Sequence, residues 1–123
     1  MVENFEDSIL FDAANYDKGK LERILKYATQ LTIFTKGLDF ESYRDNIQVN
    51  YACTFALMQI GTISNRISND VLTQLPIPWR AVISARNASI HGHSTSHKKI
   101  IWAEIQKNIP ILIEKLDEIM EIL

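Results

Sequence analysis

Between Pro76 and His97 the chain reads PIPWRAVISARNASIHGHSTSH, and nowhere else do groups suited to acid–base and phosphate chemistry crowd together. Arg86, Asn87 and His91 fall within six residues, with Arg80, His93 and His97 close by. A histidine titrates near neutral pH, so it can move the proton of a 2′-hydroxyl or of a leaving 5′-oxygen. An arginine holds a phosphate through paired hydrogen bonds and stabilises the charge that builds on it. Asn87 can hold the imidazole or a phosphate oxygen. This set contains what metal-independent RNA cleavage requires. The same residue types on a helix also serve as solvated surface groups or structural hydrogen-bond partners, so the residues alone leave both readings open.

The element that must position them is a helix from about Pro78 to His91. Pro76 and Pro78 suit a helix start, where proline fixes φ and gives up a donor the first turn leaves unused. Val82, Ile83 and Ile90 recur at helical spacing after Trp79, and Gly92 suits the position just past the end. Asn87 and His91, at i and i+4, then share one face. Arg86 lies about 140° round the helix from His91, so only a long side chain or a second chain could bring the two together.

The remaining pattern is helical throughout, with no strand or hairpin signal. Asp17 is placed as an N-cap with Tyr16 and Leu21 as a hydrophobic staple. The helix that follows buries Leu21, Ile24, Leu25, Ala28, Leu31 and Phe34, and Gly37 ends it. Asp39 caps a long second helix, roughly Asp39–Ser68, with Leu38 and Tyr43 as its staple. From Tyr51 to Ile60 that helix reads YACTFALMQI, apolar nearly all round. A helix without a polar face is covered on two sides, and in so small a domain a second copy of the chain is the expected cover. A connector at Ser68–Leu75 carries at most one helical turn, started by Ser68 or Asn69. Ser96 is placed to cap a last helix with Ile101, Trp102, Ile105, Ile109, Leu112, Ile113, Leu116, Ile119 and Met120 on its stripe, kinked or divided at Pro110. The expected fold is all-α, an up-down antiparallel bundle of four main helices. Residues 17–123 form the helical domain, and residues 1–16 an N-terminal extension expected to be partly disordered.

With 123 residues, 46% hydrophobic and 23% charged, the composition is that of one globular domain able to bury a core. The single cysteine, Cys53, excludes an intrachain disulfide and fits a buried small hydrophobe in a reducing cytoplasm. No apolar run is long enough to span a membrane, and the acidic N-terminus MVENFEDS is unlike a signal peptide. The net charge of −2 is unevenly spread: no acidic residue stands between Asp70 and Glu104, where Arg80, Arg86, Lys98, Lys99 and the three histidines all fall. An anionic ligand would be steered there, with Arg80, His93, Lys98 and Lys99 as candidate RNA or phosphate contacts.

The run IPWRAVISARNASIHGH, followed by W-x-x-I-x-x-x-I-P-x-L, resembles the HepT-like branch of the HEPN superfamily. The likeness extends back through Ile60-Gly61 and Asn65–Ser68 and covers most of Asp17–Leu123. It implies a homodimeric, metal-independent endoribonuclease toxin that needs no cofactor, with a minimal nucleotidyltransferase as antitoxin. The family's Arg and His carry over to Arg86 and His91, and the polar residue between them to Asn87, in a composite site across a dimer cleft. Two departures stand out. His93 occupies the position where many members carry a Tyr that the antitoxin adenylylates, and Thr62 follows Gly61 where Glu is usual. These keep open an alternative, a weak or inactive HEPN-like module that binds RNA or a nucleotidyltransferase. A third reading takes His91, His93, His97 and Glu104 as metal donors, at a spacing that matches no standard motif.

Overall fold

The computed structural model describes residues 9–74, 79, 80, 87 and 95–123. The helices whose bounds fall within them are α1 (Ile9–Tyr16), α2 (Lys18–Thr35), α3 (Phe40–Asp45), α4 (Ile47–Ser64), α5 (Asn69–Gln74) and α6 (Thr95–Ile122). Among the described residues there is no strand, and the protein is all-α. None of these helices is long and apolar enough to cross a membrane.

Helix α2 is the centre of the packing. Leu21, Ile24, Ala28 and Leu31 recur on one face and are fully buried. Thr35 ends that stripe and satisfies its buried hydroxyl by donating to the Leu31 carbonyl at 2.8 Å. Gly37 then takes φ 78°, a left-handed conformation that is cheap only for glycine, and turns the chain. Asp39, in extended conformation, accepts a hydrogen bond from the Ser42 backbone N–H at 2.8 Å and starts α3 as the sequence implied. That bond holds its carboxyl below the ordinary range.

The long helix expected over Asp39–Ser68 is broken at Asn46 (φ −100°, ψ 99°). The cause is a pair of asparagines, Asn46 exposed and Asn50 buried. The Asn46 side chain accepts from the Val49 N–H at 3.1 Å and starts α4 afresh. The buried Asn50 amide nitrogen donates to the carbonyls of Tyr43 at 2.6 Å and Arg44 at 3.3 Å, groups that the break leaves without their α-helical donors, and also to the Asn46 carbonyl at 2.8 Å, which the Asn50 backbone N–H serves as well. The second helix therefore becomes α3 and α4, with Asn50 clamping the joint.

Asp17 also departs from expectation. It makes no capping bond to its own helix. Backbone bonds from Asp17 to Ala13 (3.0 Å) and from Leu21 to Asp17 (2.9 Å) carry α1 almost directly into α2. The Asp17 side chain, 1% exposed, instead accepts from the Ser68 N–H at 2.8 Å and pairs with Lys20 at 3.2 Å. It thus pins the start of α2 to the segment just before α5. Tyr16 is 80% exposed, so its staple with Leu21 does not form, and the Lys20 ammonium lies 5.0 Å from the Tyr16 ring centre. Leu10 and Ala14 of α1 are buried, and α1 packs on α5.

The Asp17–Ser68 bond at one end and the short α3 connection at the other make α2 and α4 antiparallel. Helix α6 packs on α2 as well and begins beside α3, where Trp102 lies 5.1 Å from Tyr43 and 6.4 Å from Phe40 between ring centres. It runs undivided through Pro110. A proline inside a helix costs about 3 kcal/mol. Ile101, Ile105 and Ile109 before it and Leu112, Leu116 and Ile119 after it are all buried, each contributing about 1.5–3 kcal/mol. The stripe outweighs the proline. Ser96 lies inside the first turn of α6 rather than ahead of it. The helix expected at Pro78–His91 falls mostly outside the described residues; Trp79, Arg80 and Asn87 are helical, and Trp79 is in the core at 6% exposure.

Candidate functional site

Arg86, His91 and His93 lie outside the described residues. The structure shows what surrounds them in the chain. Trp79 anchors the preceding stretch in the core, with Arg80 next to it exposed. Asn87 is helical and exposed. His97, Lys98 and Lys99 occupy the first turns of α6, the first two half-buried and Lys99 exposed.

Of these cations, Lys98 is the one the described structure builds into a site. Its ammonium donates to the Arg44 carbonyl at 3.2 Å, tying α6 to the end of α3. Around it Arg44, Asp45, Ile47, Asn50, Tyr51 and Lys98 line an open cavity of about 190 Å³. Arg44 grips Asp45 with two hydrogen bonds, Nε to Oδ1 at 2.8 Å and Nη2 to Oδ2 at 3.0 Å. The fork holds the Asp45 carboxyl below its usual range, with Lys98 adding to the effect, and it raises the Arg44 guanidinium in turn. The Arg44–Asp45 pair is internally neutral, with the Glu41 carboxylate acting on Arg44 and the Lys98 ammonium on Asp45. The sequence pattern assigns Arg44 and Asp45 no role and places Tyr51 in the apolar run of the second helix. Their meeting with Lys98 depends on the break at Asn46, and Asn46 with Asn50 was the signal available.

The two faces of α4 differ. Cys53, Ala56, Leu57 and Ile60 are buried at 0–1% exposure. Burial pushes the Cys53 thiol up to about 12. On the other side Ile47 (63%), Tyr51 (61%), Phe55 (56%) and Met58 (39%) stand open in one line, with exposed Thr62 continuing it. The two-sided apolar character expected for this helix is thus covered on one side by its own chain. Among the described residues no group of three or more His, Cys, Asp or Glu is placed to hold a metal. His97 and Glu104 are set about 10 Å apart along the axis of α6.

The family model described as Ribonuclease HepT-like matches residues 24–119. A Methanocaldococcus jannaschii protein provisionally named an RNase is 29% identical over 101 residues, covering 81% of this chain and 93% of its own. A Thermococcus cleftensis protein named probable ribonuclease HepT is 29% identical over 103 residues, covering 83% of this chain and 94% of its own. A Caldanaerobacter subterraneus protein, again provisionally named an RNase, is 28% identical over 102 residues, covering 82% and 91%. No solved structure matches the chain with significance.

Proposed function

The chain belongs to the HepT-like ribonuclease family, and on that premise we propose that it is a homodimeric, metal-independent endoribonuclease, the toxin of a cytoplasmic toxin–antitoxin pair. The observation that carries this reading is the Arg86-Asn87-x-x-x-His91 motif inside the matched residues 24–119. One His91 imidazole takes the proton of a ribose 2′-hydroxyl, and the 2′-oxygen attacks the adjacent phosphorus. A second imidazole, from the other copy of the motif in the dimer, gives a proton to the departing 5′-oxygen. The products are a 2′,3′-cyclic phosphate and a 5′-hydroxyl. Arg86 neutralises the phosphorane charge, and Asn87 orients the imidazole or a phosphate oxygen. Arg80, His93, Lys98 and Lys99 hold flanking phosphates.

Support for the dimer comes from Phe55 and Met58 at the middle of the open α4 stripe, with Ile47 and Tyr51 toward one end. An aligned apolar row of this kind on a small domain calls for a partner surface. A minimal nucleotidyltransferase is the antitoxin. With His93 where a modifiable Tyr would stand, neutralisation proceeds by binding rather than by adenylylation at that position. The runner-up, an RNA- or nucleotidyltransferase-binding module without activity, draws on exposed Thr62, which puts no carboxylate on α4 where the family usually has one.

The test is incubation of the wild type with mixed RNA in EDTA beside Arg86→Ala and His91→Ala. Cleavage that both variants lose is expected. A folded, dimeric wild type that leaves the RNA intact would sink the enzyme reading, and cleavage abolished by EDTA would point to metal chemistry instead.

A further inference from the structure

We propose that Asp17 is a positioning residue for the ribonuclease site. Its carboxylate holds the Ser68 backbone N–H, fixes where α5 begins, and acts through the chain after α5 on Arg86, Asn87 and His91. The proposal rests on the ribonuclease reading and adds a residue, far from the motif in sequence, on which the rate depends.

Three observations point to this role. The first is a buried bond between distant parts of the chain. Asp17 is 0% exposed; its Oδ2 accepts from the Ser68 N–H at 2.8 Å, across 51 positions, and its Oδ1 accepts from the Lys20 ammonium at 3.2 Å. A carboxylate taken out of water is a weak source of stability, since the lost hydration offsets most of what its partners return. What it supplies is one fixed, charge-assisted geometry.

The second is that the entry to α5 has no comparable fastening of its own. The Ser68 carbonyl accepts from the Leu72 N–H at 3.1 Å, which puts Ser68 at the capping position. Its hydroxyl, however, is buried and bonds to nothing among the described residues. Ile67 and Val71 hold the segment in the core, but apolar burial carries no direction. The directional contact at this entry is therefore the one from Asp17.

The third is where the tether leads. Asp17 sits at the junction of α1 and α2, and α1 is the described helix on which α5 chiefly packs, through its buried side of Leu10 and Ala14. Both α1 and Asp17 precede the matched residues 24–119, whereas Ser68, α5 and the motif lie within them. Trp79, five positions after the end of α5, is again in the core. Two of the four residues between, Pro76 and Pro78, have φ fixed by their rings. Little freedom is left to absorb a shift of α5 before Trp79 and the motif beyond it. A misplacement of about 1 Å at reacting groups can cost about a hundredfold in rate, so a small shift is enough.

The experiment measures kcat and KM for cleavage of a short fluorogenic RNA in EDTA, each referred to the folded fraction from circular dichroism. Wild type is compared with Asp17→Ala, Asp17→Asn and Leu10→Ala. Asp17→Ala deletes the acceptor, and kcat is expected to fall about tenfold to a hundredfold with KM unchanged. Asp17→Asn keeps a carbonyl oxygen for the Ser68 N–H and should restore most of the rate. Leu10→Ala leaves the bond in place and loosens the helix behind it; kcat should fall by a smaller factor, and this variant carries the test if Asp17→Ala does not fold. A wild-type kcat per folded molecule in whichever of these two variants carries the test would leave the bond a stabilising role only and overturn the proposal, with the ribonuclease reading intact. A KM that rises while kcat holds would place the effect in RNA binding and overturn it as well, as would Asp17→Asn falling as far as Asp17→Ala. A wild type that leaves the RNA intact overturns both readings.

Discussion

Helices α2 and α4 have the same length, 18 residues, and lie against each other, yet they dispose of their apolar surface in opposite ways. The large apolar side chain that α2 leaves well exposed is Ile33 alone, at 63%. Helix α4 leaves Ile47, Tyr51, Phe55 and Met58 open in a row, while its other side is as buried as any part of the core. A single exposed isoleucine is ordinary on a protein surface, whereas an aligned row marks a binding face. One helix serves the fold only. The other serves the fold on one side and leaves an apolar row open on the other.

The comparison breaks most easily on the covered side. Leu57→Ala, at a fully buried position facing α2, should cost about 2–5 kcal/mol in denaturant unfolding. A cost below about 1 kcal/mol would mean that the packing of α4 on α2 is looser than described. Next comes the joint that sets where α4 begins. Asn50→Ala removes the donor to the Tyr43 and Asn46 carbonyls and should cost about 1–3 kcal/mol, with the groove at Lys98 disturbed as well.

A pH series sharpens the same contrast. Cys53 on the covered side has its thiol raised by burial from 9.0 to about 12, and Tyr43 is raised by the same cause. Raised acids keep their proton longer in the folded state. Their contribution is therefore complete below about pH 9 and is lost as pH climbs toward the folded values. Alkaline unfolding should set in above about pH 9, and Cys53→Ala should soften it; an unchanged alkaline limb would show that Cys53 ionises freely. A thiol reagent at neutral pH should modify Cys53 only as the chain unfolds. The smallest stability effect belongs to the open side, where Phe55→Arg removes the edge contact of its ring with Tyr27, 6.2 Å between centres, and should cost the folded chain about 0.5–1.5 kcal/mol in denaturant unfolding.

The sequence carried the main helices because their apolar residues repeat at the helical period: the stripe on α2, the stripe on α6, the Asp39 cap and the turn at Gly37 are all local signals. What it concealed was the use of polar side chains over distance. Asp17 reads as a cap from its neighbours, but its carboxylate serves Ser68, far along the chain. Asn50 reads as one polar residue in an apolar run, and only the three-dimensional path of α3 shows it holding the helix break. The candidate catalytic residues were legible as types at a spacing, with Arg86, Asn87 and His91 in one short motif. The groove at Lys98 was legible only as far as Asn46 and Asn50 signal a helix break; that the Lys98 ammonium then meets the Arg44 carbonyl is a matter of the three-dimensional path.

Cleavage by a dimer is tested most directly by sedimentation of wild type and Phe55→Arg at micromolar concentration, with RNA cleavage in EDTA followed on the same samples. A wild type at twice the chain mass that cleaves is expected, with a folded Phe55→Arg at the chain mass that does not. A wild type at the chain mass, or a monomeric Phe55→Arg that cleaves as fast as wild type, would contradict it.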